Sequence, residues 1–159
     1  MEGPNLVTNG DFISDIVGWN NLAGNFSTFE WDAGKLSCIQ TVAAKFSAAY
    51  TDTNIAVTKG HTYTISFDFE YVSGDSVIFR IKDSSLLADR KIIGTYGTTQ
   101  TVTVEWKPTT TESVVFQGNN SSGTDICAFK LDNVSITDKD GGRKTGLRSR
   151  YAGGYRNRR

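Results

Sequence analysis

A ten-residue stretch near the middle of the chain constrains the fold most strongly. The segment TYTISFDFEY (62–71) alternates strictly between apolar and polar residues. Successive side chains of a β-strand point to opposite faces, so this alternation predicts a strand with one buried and one solvated face. A sheet with one buried face and one solvated face is typically antiparallel. The predicted inward residues are Tyr63, Ile65, Phe67, Phe69 and Tyr71.

Shorter segments of the first 138 residues carry the same signal. The clearest are VIFRIK (77–82), TQTVTVEW (99–106), SVVFQG (113–118) and DICAFKLDNVSIT (125–137), with weaker strands predicted in NLVTNGDF, FSTFEW and KLSCIQTV. The pattern of residues 125–137 slips by one residue at Asp132–Asn133, which predicts a β-bulge. The run TVAAKFSAAY (41–50) is helix-like but ambiguous. Several short strands between polar turns predict an all-β, two-sheet antiparallel β-sandwich over residues 1–138.

The turn signal SGDS (73–76) predicts that the two strands flanking it form a hairpin. In that register Arg80 and Lys82 face Glu70 and Asp68 as cross-strand ion pairs. The hairpin would therefore present a solvated, charged outer face.

Catalytic patterns are absent from the sequence. His61 is the single histidine and lies in the turn KGHT, so a His pair for a transition metal is lacking and an exposed turn histidine is expected. No nucleophile elbow accompanies it. Asp68 and Glu70 resemble the paired carboxylates of glycoside hydrolysis, but neighbouring bases would neutralise them more simply. The sequence predicts a protein that is not an enzyme.

Cellular location is predicted from three observations. No apolar stretch is long enough to span a bilayer, so no membrane partner is expected. The first residues, MEGPNLVTNG, lack the basic and apolar regions of a signal peptide, so secretion is not expected. Cys38 and Cys127 are too few for a disulfide framework, and buried free thiols are favoured over a single bridge between them.

Charge is divided unequally along the chain. Residues 1–140 hold all seventeen acids and ten of the seventeen bases, a net charge of −7, while residues 141–159 hold seven bases and no acid. Residues 139–159 therefore form a predicted extended basic C-terminal arm that seeks a partner of opposite sign. The candidate partner-anchoring residues are Arg143, Lys144, Leu147, Arg148, Arg150, Tyr151, Tyr155, Arg156, Arg158 and Arg159. Nucleic acid, an acidic protein surface and a neighbouring copy of the chain all fit this composition.

Three segments resemble a known family when taken in order. NLVTNGDFISDIVGW (5–19), TKGHTYTISFDFEYVSG (58–74) and LDNVSIT (131–137) are similar to the opening, central and closing strands of jelly-roll carbohydrate-binding modules of the family four and nine type, a galactose-binding-like β-sandwich. The resemblance covers residues 4–138. It implies that the first and last strands are adjacent and that Trp19 and Trp106 lie in the core.

Members of this family bind glycans in a cleft on a concave sheet face, where aromatic rings stack on sugars and polar groups bind hydroxyls. The resemblance implies Trp31, Tyr50 and Tyr96 as stacking candidates, and Asp68, Glu70 and Arg80 as polar candidates. The chain departs from the pattern, because the outward positions of its two clearest strands carry no Trp or Tyr. The alternative is that the three aromatic residues fill the core or its rim.

Many members also hold a structural calcium ion where the first and last strands meet. By resemblance, Gly10 and Asp132 would be ligands. Ile13 stands where the family has Glu and offers no oxygen, and calcium prefers six to eight oxygen ligands. The coordination is therefore incomplete, and no other cofactor is predicted.

Three functional hypotheses follow. The first is a structural protein of a virus particle, a decoration, cement or tail-associated protein assembled in the host cytoplasm. It would be tied by its basic arm to other virion proteins or copies of itself, and its body would contact cell-surface glycans. The second is a carbohydrate-binding module proper. The third is a nucleic-acid-associated protein that binds through its tail.

Overall fold

The computed structural model describes residues 3–43, 47–52, 54–74, 77–82, 90–92, 97–109, 111–120 and 126–141. These residues form two antiparallel sheets packed face to face, with one short 3-10 turn at Leu22–Gly24. The predicted all-β sandwich is therefore confirmed. Within the described ranges, no helix has the length and apolar character needed to cross a bilayer.

Eleven strands are found in the described residues. In chain order they are β1 (Trp19–Asn21), β2 (Thr28–Asp32), β3 (Lys35–Ile39), β4 (Ala48–Thr51), β5 (Ile55–Val57), β6 (Tyr63–Gly74), β7 (Val77–Lys82), β8 (Arg90–Ile92), β9 (Thr99–Trp106), β10 (Glu112–Asn120) and β11 (Cys127–Asp138). One sheet has the order β1-β4-β10-β7-β8, with β5 also paired to β10. The other has the order β2-β3-β11-β6-β9. Below they are called the six-stranded and five-stranded sheets.

The alternation of β6 is confirmed, since Tyr63, Ile65, Phe67 and Phe69 are buried and the residues between them are half-exposed. The N-terminal stretch adds only a bridge from Asn5 to Thr137 rather than a full strand. It nevertheless lies beside β11, as the resemblance implied. The ambiguous run 41–50 ends in a strand, because residues 48–50 belong to β4.

The predicted bulge in β11 is confirmed. Its pairing with β6 shifts register between Asp132 and Ser135, and Asn133 has a φ of 49°. Asn tolerates this left-handed conformation better than most residues, and the extra residue restores the inward phase after the slip. Val134 and Ile136 are accordingly buried, as are Phe129 and Leu131 before the bulge.

The predicted hairpin between β6 and β7 is wrong, because the two strands lie in opposite sheets. Their inward rings meet across the core, with the centroids of Phe67 and Phe79 4.5 Å apart. Arg80 consequently faces away from Asp68 and Glu70. Alternation determines which side of each strand is buried, but it carries no information about which strand becomes the neighbour.

The core between the sheets is rich in aromatic residues. Trp19 and Trp106 are each only 6% exposed, so the expectation that both lie in the core is confirmed. Cys38 and Cys127 are buried free thiols. Burial, followed by the charge of the Cys127 thiolate, raises the pKa of Cys38 well above its ordinary value. Thiolate chemistry at Cys38 is therefore suppressed at neutral pH.

Candidate functional site

A continuous row of side chains crosses the outer face of the six-stranded sheet. Asn20 of β1 pairs with Tyr50 of β4, Tyr50 pairs with Gln117 of β10, and Gln117 pairs with Arg80 of β7. Directly opposed residues of an antiparallel pair project from the same face. With strands about 4.8 Å apart, this polar row extends over about 14 Å.

Alternation within each strand sets the direction of the row. Phe116 and Gly118 flank Gln117 on β10 and are both buried, so Gln117 projects outward. On β7, Phe79 and Ile81 point into the core, which turns Arg80 outward. Each position is thus determined by the burial of its neighbours along the chain.

The residues of the row are only partly accessible to solvent. Gln117 is only 5% exposed, while Asn20, Tyr50 and Arg80 are half-buried. Ile78, at an adjacent outer position of β7, is only 8% exposed. The low exposure of these outward residues shows that neighbouring groups cover part of this face.

The groups of the polar row suit a ligand with hydroxyls and an apolar ring face. Tyr50 offers an aromatic surface and a hydroxyl. The amides of Asn20 and Gln117 both donate and accept hydrogen bonds, and the guanidinium of Arg80 donates several. This arrangement can hold a sugar ring against the Tyr50 side chain while amide and guanidinium groups bind its hydroxyls.

Of the six residues predicted to bind glycan, the fold brings Tyr50 and Arg80 together in this row. Trp31 lies instead on edge strand β2, 43% exposed, and its indole Nε1 donates to the Phe12 carbonyl oxygen at 2.7 Å. Tyr96 lies outside the described residues. Sequence reasoning missed Asn20 and Gln117, although the alternation of SVVFQG already marks Gln117 as an outward polar residue.

Asp68 and Glu70 lie on the outer face of the five-stranded sheet, on the far side of the sandwich from the polar row. Glu70 pairs with Lys35 at 2.7 Å. Asp68 accepts hydrogen bonds from Thr101 at 2.6 Å and from Asn133 at 2.8 Å. These contacts are those of a solvated polar surface, and of the predicted stacking residues Tyr50 lies on the opposite sheet.

The residues implied for calcium do not fit the ion. The Gly10 carbonyl accepts the Val134 amide at 2.7 Å, which joins the N-terminal segment to β11. The carboxylate of Asp132 accepts the amide of Asn133 at 2.7 Å, so it caps the bulge. Ile13 is 76% exposed and supplies no oxygen. Among the residues described, no group of three or more His, Cys, Asp or Glu is placed to hold a metal.

Side-chain and backbone contacts connect the start of the basic arm to the turn that precedes β6. His61 Nδ1 and Asp138 Oδ2 lie 2.8 Å apart, and the Thr62 amide donates to Asp140 Oδ2 at 2.8 Å. His61 is therefore half-buried and paired, which corrects the expectation of an exposed turn histidine. The predicted anchoring residues from Arg143 to Arg159 lie outside the described residues.

Comparisons with known proteins agree with this fold. A family model described as a carbohydrate binding domain, CBM_4_9, matches residues 4–122. A solved CBM4 structure is similar, with a TM-score of 0.59 and 17% identity, over 84% of this chain and 99% of that one. The N-terminal cellulose-binding domain of β-1,4-glucanase C from Cellulomonas fimi has a TM-score of 0.58 and 13% identity, over 86% and 98%.

A third similar structure comes from Clostridium thermocellum: the CBM22-1–GH10 modules of xylanase 10B, complexed with xylohexaose. Its TM-score is 0.55 at 18% identity, covering 87% of this chain and 30% of that one. Curated protein sequences gave no match. These findings support the second hypothesis of the sequence analysis and lend no support to the virion hypothesis. The family model describes a binding domain, in line with the prediction that the protein is not an enzyme. By the extent of the family match, the chain belongs to the CBM_4_9 family of carbohydrate-binding domains.

Proposed function

We propose that the protein binds a polysaccharide chain along the polar row on the outer face of the six-stranded sheet. The observation that carries the proposal is the register that aligns Asn20, Tyr50, Gln117 and Arg80 across four neighbouring strands. A row about 14 Å long suits several consecutive sugar units rather than a single one.

The composition of the row supports a ligand rich in hydroxyl groups. The row holds one aromatic ring, two amides, one guanidinium and no acid. The similar structures include a cellulose-binding domain and a module complexed with xylohexaose. We therefore take β-linked glucans and xylans as the ligands to test first.

Isothermal titration calorimetry of the full chain with cellohexaose, xylohexaose and laminarihexaose tests the proposal. Tyr50→Ala should weaken binding of the preferred sugar at least about tenfold, because it removes the stacking surface. Trp31→Ala is the matched aromatic control on the other sheet, and Glu70→Ala is the matched polar control. Both controls should bind like the unaltered protein.

Two results would contradict the proposal. One is a Tyr50→Ala variant that is folded and binds with unchanged affinity. The other is binding that is lost in Trp31→Ala or Glu70→Ala, which would move the site to the five-stranded sheet. Localisation in a virion stays a prediction, and the incorporation of the full chain into particles is the measurement that addresses it.

A further inference from the structure

The outer face of the five-stranded sheet carries an excess of acids. Its outward positions on β2, β6, β9 and β11 include Glu30, Asp32, Asp68, Glu70, Glu105 and Asp132. The same face has only two strand lysines, Lys35 and Lys130, and each already pairs with one of these acids at 2.7 Å. We call this surface the acidic face.

The negative charge is most concentrated near the bulge of β11. Asp68 and Asp132 are cross-strand partners there, and like charges in that position repel each other. Burial raises the pKa of Asp132, and the neighbouring carboxylates of Asp68 and Asp11 raise it further. The hydrogen bond from the Asn133 amide and, to a smaller extent, the charge of Lys35 lower this pKa without cancelling the rise. The centre of the acidic face therefore favours an additional cation.

The basic arm directly follows a strand of this same sheet. Strand β11 is central in the five-stranded sheet and ends at Asp138. The next residue, Lys139, already forms an ion pair with Glu105 of the acidic face. The Lys139 amide also donates to the Thr62 carbonyl at 2.9 Å, which fixes the point from which the arm starts.

We propose that residues 142–159 of the arm dock on the acidic face of their own molecule. The arm brings seven bases and no acid to this surface. Six of the bases are arginines, whose planar guanidinium groups pair with carboxylates in a two-pronged geometry. The inference does not rest on the proposed carbohydrate function, because the polar row lies on the opposite side of the sandwich.

The arm is long enough to cover the surface. Asp132 lies six residues before Asp138 on β11, a distance of roughly 20 Å at strand spacing. An extended chain spans about 3.3–3.6 Å per residue, so about six residues of arm are needed to return to the bulge. By chain length, Arg148 and Arg150 are far enough along the arm to span the distance to Asp68 and Asp132, and the bases near the C-terminus are far enough to span the distance to the far end of the face.

Each exposed ion pair is weak by itself, but the covalent tether gives the arm a high effective concentration at the surface. Such docking must weaken as salt screens the charges, since the Debye length falls from about 10 Å at 0.1 M to about 3 Å at 1 M. Sensitivity to salt is thus the signature that distinguishes docking from a fixed apolar contact.

Nuclear magnetic resonance of the full chain tests the proposal. Backbone amide shifts are compared at about 20 mM and about 500 mM NaCl. Salt-dependent shifts should concentrate at Asp68, Glu70, Thr101 and Asp132. Arg148→Glu with Arg150→Glu should bring these amides, already at low salt, to their high-salt positions. Lys59→Glu is the control, because it reverses an exposed charge of the body outside the acidic face.

Several outcomes would overturn the proposal. Salt-dependent shifts spread evenly over both sheets, or equal effects of the arm variant and the Lys59 control, would show that the arm does not dock here. A sedimentation mass above the monomer at low salt would assign the arm to a second copy. If a short oligonucleotide changes the amide chemical shifts of the arm, while salt leaves those of the acidic face unchanged, the arm binds nucleic acid rather than this face. Sugar affinity should not change in the arm variant, so failure here is distinguishable from failure of the proposed function.

Discussion

Removing one core ring, in Phe79→Ala, tests the way in which the two sheets are joined. Phe79 is 2% exposed, and four rings surround it. Their centroids lie at 4.5 Å (Phe67), 5.3 Å (Phe69), 5.9 Å (Phe129) and 6.0 Å (Phe116) from that of Phe79. Phe67 and Phe69 belong to β6, and Phe129 belongs to β11. Phe79 of the six-stranded sheet is therefore packed mainly against the five-stranded sheet.

The expected cost is that of deleting a buried aromatic residue. Such truncations lower the free energy of unfolding by about 3–5 kcal/mol, since both apolar burial and ring contacts are lost and a cavity is left. For a domain of this size each kcal/mol lowers Tm by about 2–4 °C. We therefore expect Tm to fall by about 10 °C, measured by thermal and urea denaturation followed by circular dichroism.

A double-mutant cycle of Phe67→Ala and Phe79→Ala then tests the packing directly. The opposed sheets predict a coupling of about 0.5–1.5 kcal/mol between the two rings. In the hairpin register suggested by the sequence, Phe79 would instead lie opposite Tyr71, about four residues or 13 Å along the strand from Phe67. A coupling near zero, or a loss below about 1 kcal/mol for Phe79→Ala, would refute the packing. Ile13→Ala, at a side chain 76% exposed, should change stability by less than about 0.5 kcal/mol.

Two further predictions concern the seam along β11. In Gly10→Ala the new Cβ would overlap the carbonyl oxygen of Val134, so we expect urea denaturation to show a loss of about 2 kcal/mol or more in the free energy of unfolding. Gly34→Ala is the control: its Cβ would meet no atom within 4 Å, and its positive φ should cost about 1 kcal/mol. Burial would raise the pKa of Asp138, but hydrogen bonds from His61 and from two backbone amides lower it below its ordinary value. Its stabilisation is therefore present above the unfolded pKa of about 3.9 and is lost as pH falls through the folded pKa. Asp138→Asn should lower Tm at pH 7, and the difference in Tm should be smaller at about pH 2. An equal Tm difference at both pH values would argue against this linkage.

The candidate site was only partly predictable. Resemblance to a glycan-binding family singled out Tyr50 and Arg80, and the alternation around Phe116 already turns Gln117 outward. Asn20, however, lies in a three-residue strand that carries no pattern of its own. The four residues come from β1, β4, β7 and β10, and only the pairing of those strands places them in one row.

Local features could be predicted from the sequence alone: the inward faces of β6, β7 and β11, the bulge at Asp132–Asn133 and the unequal division of charge. These follow from side-chain periodicity and composition, which depend on neighbours along the chain. The folded arrangement was needed to place β6 and β7 on opposite sides of the core, and Asp68 and Glu70 away from Tyr50. Strand pairing is set by contacts between distant segments, and an alternating pattern satisfies many partners equally well.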